Sequence, residues 1–343
     1  MSATPLLALT MGDPCGIGPE VVAKGITQPL PTSCVVVGDV AVMRRALAGC
    51  GLDWPLAELD EPEQALRMPP RCIAVWQPPG LPAGLASLPM GQVHADAGRA
   101  AIDCIEAAAG LALTGRAAAV VTAPVHKQAL AAGGSRFPGH TEMLQALAAA
   151  GDREPEVRMM LANDELRVVL VTIHVSLRQA IDQLDVERIA TTIAMTHRAG
   201  QRAGLRAPRI AVAGLNPHAG EGGLFGNEEV RFIAPAIERA RAAGIDASGP
   251  YAPDTVFMRA RHAPGHPGEF DYVVAMTHDH GLIPVKYLGV ERGVNVTLGL
   301  PFVRTSPDHG TAFDIAGRGV ADPSSLRAAI SMAHELCGVG GVR

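Results

Sequence analysis

Gly12-Asp13-Pro14-Cys15-Gly16-Ile17-Gly18-Pro19-Glu20 is the stretch on which the fold turns, because it follows the apolar run Leu6 to Thr10 and opens a helical pattern. A glycine-rich strand-to-helix turn invites the dinucleotide fingerprint, in which three glycines let the backbone approach a pyrophosphate. Gly16 and Gly18 supply the first two, but Val21 stands where the third should be and no acidic residue convincingly closes a second strand. The turn therefore reads as a structural connection from strand to helix. The later cluster Gly220-Glu221-Gly222-Gly223 with Gly226 likewise lacks the Lys and Ser/Thr of a phosphate loop.

Outward from this turn, short β-branched runs alternate with Ala- and Leu-rich stretches of helical period, which predicts an α/β fold with strands joined through crossover helices. Candidate strands are Leu6 to Thr10, Cys34 to Gly38, Ile73 to Trp76, Ala118 to Thr122, Val168 to His174, Ile210 to Leu215, Tyr272 to Thr277 and Val294 to Leu298. Several are continuously apolar, as strands buried on both faces are. Candidate helices are Gly98 to Leu113, Glu142 to Ala150, Val186 to Ala203, Glu228 to Ala243 and Ser324 to Leu336, with Asp185 and Asn227 at capping positions and Gly244 closing its helix. The Pro- and Gly-rich Gln77 to Pro89 reads as a surface connection.

The chain has 343 residues, 48% hydrophobic and 18% charged, enough for a large core and, at about 150 residues per domain, for two domains with a boundary near Pro124. A net charge of -5 leaves no basic surplus for a phosphate backbone, so nucleic acid is excluded as a partner. No stretch reaches the roughly 18–20 apolar residues of a membrane span, and the first residues lack the basic start of a signal peptide, which predicts a cytoplasmic protein. Six cysteines without a CxxC pair argue for reduced, mostly buried thiols. Neither GxSxG nor HExxH occurs, so serine hydrolase and zinc protease readings have no support.

Chemistry-capable residues gather at the predicted carboxyl ends of strands, where open α/β sheets place ligands. His174, His218 and His278 each follow one. Singly, a histidine is more often structural; three at strand ends suit one divalent metal with positions left open for substrate. Phe137-Pro138-Gly139-His140-Thr141-Glu142 sets His140 and Thr141 at a helix start, either as a cap or as an anion site. Lys286, Asn295 and Arg304 lie in or beside apolar strands, where a cation needs an anionic partner, internal or bound. His126-Lys127 reads as a helix opening, and Asp254 as a turn cap or a group near the metal.

Together these segments resemble the 4-hydroxythreonine-4-phosphate dehydrogenase family of vitamin B6 biosynthesis over essentially the whole chain. The resemblance is carried by GDPCGIGPE, by APVHK at Ala123 to Lys127, PGHTE at Pro138 to Glu142 and GLNPHAGEGG at Gly214 to Gly223. It continues through HDHG at His278 to Gly281 and RGVNVTLGLPFVRTSPDHGTAFDIAGRG at Arg292 to Gly319. It implies an isocitrate/isopropylmalate dehydrogenase-like two-domain fold with a cleft, not a Rossmann fold. A nucleotide-side domain would span 1–125 plus about 300–343, and a metal, substrate and dimerisation domain about 126–299.

By the same resemblance, His309, Gly310 and Asp314 belong to a nucleotide-binding segment. His174, His218 and His278 are metal ligands, and His140, Thr141, Lys286, Asn295 and Arg304 are substrate contacts. It also implies a homodimer whose subunits share active sites. Two departures stand out: His280 where Gln is usual, and Cys15 where a small residue is common. The implied reaction is NAD-dependent oxidation of 4-phosphooxy-L-threonine with decarboxylation to 3-amino-2-oxopropyl phosphate, NADP being the alternative coenzyme. Zinc leads among the metals, with cobalt, manganese or magnesium as alternatives; Asp254 and Lys286 are the candidate bases. Rival readings on this scaffold are a threonate or erythronate 4-phosphate dehydrogenase and a terephthalate-type cis-dihydrodiol dehydrogenase; a metal-dependent hydrolase or lyase is the rival of another class.

Overall fold

A computed structural model of the protein describes residues 5–151 and 153–338. The chain forms two compact units: one holds the described residues up to Glu156 and from Leu300 onward, the other Val157–Gly299. The chain leaves the first unit at 156/157, further along than the boundary expected near Pro124.

Strands β1 (Leu6–Thr10), β2 (Ser33–Val37), β3 (Leu56–Leu59), β4 (Ile73–Trp76) and β5 (Ala119–Thr122) belong to the first unit. β6 (Arg158–Ala162), β7 (Arg167–Leu170), β8 (Ile210–Ala213), β9 (Ala247–Tyr251), β10 (Tyr272–Ala275) and β11 (Val294–Leu298) belong to the second, and β12 (Val303–Pro307) returns to the first. In the first unit the order β3-β4-β2-β1-β5-β12 is parallel throughout. In the second, β11-β6-β7-β10-β8-β9 is mixed: β6 runs antiparallel to β11 and β7, and β7, β10, β8 and β9 are parallel.

β1 and β5 are buried along their whole length, as expected for strands covered on both faces. The turn after β1 needs its first glycine: Gly12 has φ +76°, and a Cβ there would stand 2.5 Å from Pro124 O. Asp13 N–H donates to that same carbonyl at 3.0 Å. Gln77 to Pro89 is less free than a surface connection: Leu85 is buried, and Arg45 of the helix Val40–Gly49 donates to Ala86 O at 2.9 Å.

In the second unit, Leu161, Val168, Leu170, Ala211, Val273 and Phe257 share one core with Leu282 and Val285 of the helix His278–Tyr287. β6 and β12 are not among the expected strands, for a visible reason. Met and Ala carry little β-propensity in β6, and Arg-Thr-Ser-Pro disguises β12, although every residue of β12 is buried. β3 and β9 are edge strands, and the Gly and Pro of β9 are tolerated there. Asp185 caps Val186–Arg202 as expected, accepting Arg188 N–H at 2.7 Å. Asn227 does not cap through its side chain; its main-chain carbonyl accepts Arg231 N–H at 2.9 Å as a π-helical turn Glu229–Ile233 begins. All six cysteines are free, but only Cys15 and Cys104 are fully buried, the other four being half-buried.

Candidate active site

In the first unit, Arg304 sits on β12 at 3% exposure, and its Nη2 donates to Thr122 Oγ1 of β5 at 2.7 Å. Burial lowers its pKa to about 10, against the opposing pull of Glu142. His140 is the first residue of the helix His140–Leu147, whose N-cap Gly139 offers no side-chain cap. Desolvation, then the charge of Arg304, lower the His140 pKa to about 3, so its ring is neutral at physiological pH. The arrangement has the chemistry of an anion site: a desolvated guanidinium, a neutral imidazole and free amides at a helix start, with Thr141 in the same first turn.

The segment His309 to Gly317 forms a loop beyond β12. It packs on the glycine turn: Ile17 N–H donates to Thr311 O at 3.0 Å, and a Cβ on Gly16 would stand 2.9 Å from Thr311 Cβ. Gly91 closes on the same loop, where a Cβ would meet Phe313 O at 2.5 Å. His309 Nδ1 lies 3.0 Å from Gly310 O, its Nε2 is buried, and Asp314 is exposed. Sequence reasoning missed two contributors. His126 N-caps Lys127–Ala132, as expected of a helix opening, but its ring also stacks on Phe313 at 4.6 Å and 15°. Asp13 is fully buried, its Oδ1 accepts Cys15 N–H at 2.8 Å, and desolvation raises its pKa against the lowering effects of that bond and of His126.

In the second unit, each histidine lies a few residues past its strand rather than at its end. His174 follows β7 in a loop, and His278 begins the helix His278–Tyr287. Their rings are 5.7 Å apart at 47°. His278 Nδ1–H donates to Asp279 Oδ1 at 2.8 Å, the kind of carboxylate partner that orients metal-bound imidazoles. His218 is exposed and tilts 6.2 Å from Phe225. Among the described residues, no three His, Cys, Asp or Glu side chains are grouped to hold a metal. Imidazole is a donor type that a divalent ion takes, but only His174 and His278 stand together, and His218, on its exposed loop, is not grouped with them.

That loop is unusual. His218, Ala219, Gly220, Glu221 and Gly222 all have left-handed φ/ψ, at a cost of roughly 1–2 kcal/mol for each non-glycine residue. Such strain collects at functional sites.

Lys286 corrects an expectation: it lies on the last turn of a helix, exposed, and not in or beside a strand. Asn295 is half-buried on β11, opposite Leu161 of β6. Asp254 is exposed in the turn before the helix Val256–Ala260. His280, half-buried, has a lowered pKa through desolvation, opposed by Asp279.

Parallel and mixed sheets with histidines and an arginine on or past their strands define an α/β protein of the kind that places ligands beyond its strand ends. The chain belongs to the family of the pyridoxal phosphate biosynthetic protein PdxA, whose family model matches residues 31–333. It is 53% identical to the 4-hydroxythreonine-4-phosphate dehydrogenase of Beijerinckia indica over 96% of this chain and 94% of that one. It is 45% identical to the D-threonate 4-phosphate dehydrogenase of Pectobacterium atrosepticum, covering 96% and 99%. A crystal structure of 4-hydroxythreonine-4-phosphate dehydrogenase from Klebsiella pneumoniae superposes with TM-score 0.85 at 44% identity, over 98% of this chain and 99% of that one.

Proposed function

We propose that this protein oxidises the secondary alcohol of 4-phosphooxy-L-threonine with NAD and releases carbon dioxide to leave 3-amino-2-oxopropyl phosphate, a step of vitamin B6 biosynthesis. The observation that carries it is the buried Arg304 beside neutral His140 at an open helix start, an anion site in a chain whose relatives are named for phosphorylated hydroxy acids. A second reading, a D-threonate 4-phosphate dehydrogenase, draws support from the relative of that name at 45% identity. The isocitrate/isopropylmalate dehydrogenase-like fold with a cleft, implied by the family resemblance, belongs to the same proposal.

In this mechanism, a divalent metal and NAD, when bound, supply Lewis acidity at the substrate oxygen and the hydride acceptor, respectively. His174, His218 and His278 would hold the metal, with zinc the leading candidate, and subunits of a homodimer would share the ligands. His309, Gly310 and Asp314 serve the nucleotide. Arg304, His140, Thr141, Lys286 and Asn295 grip the phosphate and carboxylate and so fix the carbinol carbon. Arg304 offers a planar fork to an anion, and His140, being neutral, adds no competing proton demand. The hydroxyl proton leaves to Lys286 or Asp254, both exposed on their elements.

The test is NADH formation with 4-phosphooxy-L-threonine, D-threonate 4-phosphate and erythronate 4-phosphate, before and after chelation and metal restoration. Turnover of the phosphothreonine, lost on chelation and regained with zinc or cobalt, is expected. Turnover confined to the sugar-acid phosphates would transfer the protein to the second reading. Absence of nucleotide reduction with all three would sink both.

A further inference from the structure

We infer that Glu229 is the positioning residue that holds the left-handed loop of His218 in shape. Glu229 is 3% exposed, and the donors to its carboxylate, Leu215 N–H, Asn216 N–H and Asn216 Nδ2, all come from one short stretch of chain. Its Oε1 accepts Leu215 N–H at 2.7 Å and Asn216 N–H at 2.8 Å, and its Oε2 accepts Asn216 Nδ2 at 2.9 Å. Asn216 Nδ2 also donates to Glu228 Oε2 at 2.7 Å, and Asn216 O accepts Ala219 N–H at 3.0 Å. The two residues that lead into the left-handed turn are thus fixed by one carboxylate.

Space around that carboxylate is closed by glycines. A Cβ on Gly214 would stand 3.0 Å from Glu229 Oε1, and one on Gly220 2.7 Å from Oε2. Side chains at either place would push the loop off the carboxylate. The carboxylate is in turn delivered by the π-helical turn Glu229–Ile233. Pro235, in the first turn of the following helix Ala234–Ala242, has no N–H for the carbonyl of Arg231 and crowds it, so the helix opens at this place. A strained loop needs such an external hold, because its own residues favour another conformation.

The metal role of His218 belongs to the proposed function, so the experiment separates the two. Glu229→Gln keeps the length and the acceptor for both backbone amides, but turns an amide donor toward Asn216 Nδ2. Asn216→Ala removes the side-chain clamp and leaves both backbone amides. In each metal-free variant, amides of residues 215–223 are expected to exchange hydrogen faster than in the parent, with the helix Val186–Arg202 unchanged. Cobalt(II), titrated by its visible absorption, is expected to bind about 10- to 100-fold more weakly. Exchange and cobalt affinity equal to the parent in Glu229→Gln overturn the inference, as does loss of folded protein in both variants, which would make the network one of general stability. Cobalt binding undiminished in His218→Ala would instead sink the metal reading, and the exchange data would still decide the role of Glu229.

Discussion

His140 shows how burial, aided by a nearby cation, reshapes an imidazole. Desolvation first, and then the Arg304 guanidinium, hold it near pKa 3 in the folded protein, against an ordinary 6.5. The unfolded chain therefore binds the proton first, and stability is lost as pH falls from 6.5 toward 3, being fully present above 6.5. His140→Asn removes that contribution. Thermal unfolding scans from neutral to mildly acid pH should show a shallower decline of Tm in the variant than in the parent; parallel declines would mean that the imidazole is solvated in the native state. At this scale much was legible in the chain: the apolar flanks of Arg304 announced a buried cation, and GHTE announced a helix start. Asp13, Glu229 and the stack of His126 on Phe313 were not legible, because each acts through partners that only folding brings near.

The helix His278–Tyr287 carries two of the proposed roles, through His278 and Lys286. It buries Gly281, Leu282 and Val285 and leaves Asp279, Ile283, Lys286 and Tyr287 exposed, so one face packs on β7 and β10 while the other is offered outward. Gly281 permits the close approach, since a Cβ there would run into Leu170 of β7. Gly281→Ala is expected to destabilise the protein by about 1–3 kcal/mol through overpacking, despite the better helix propensity of alanine. Urea unfolding measures it, and an unchanged or raised midpoint would show that the helix shifts without cost. The strands β6, β9 and β12 mark the limit of local reading at this scale, for their residues are poor strand formers held in place by neighbouring strands.

Across the whole molecule, large exposed apolar side chains concentrate in the second unit, among them Leu177, Leu224, Phe225, Ile283 and Tyr287, close in sequence to the three histidines. Gathered into one patch such side chains would mark an interface, and the proposed homodimer would supply it. Ile283 is 64% and Tyr287 91% exposed, one turn apart on one helix. If the proposed dimer uses this face, Ile283→Glu combined with Tyr287→Glu should give a folded monomer with its activity lost, as read by light scattering, circular dichroism and NADH formation. A variant of dimeric mass would remove this face from the interface. No helix among the described residues is long and apolar enough to cross a membrane.

The sequence by itself determined the α/β class, four of the six parallel strands of the first unit (β1, β2, β4 and β5) and the family. Those properties rest on local periodicity and on motifs whose members are neighbours along the chain. Tertiary structure alone decided which histidines stand together, that Lys286 rides an exposed helix, that Arg304 is desolvated beside His140, and that Glu229 clasps a left-handed loop. Burial, charge coupling and backbone strain depend on distances between residues far apart in sequence, and no local pattern encodes them.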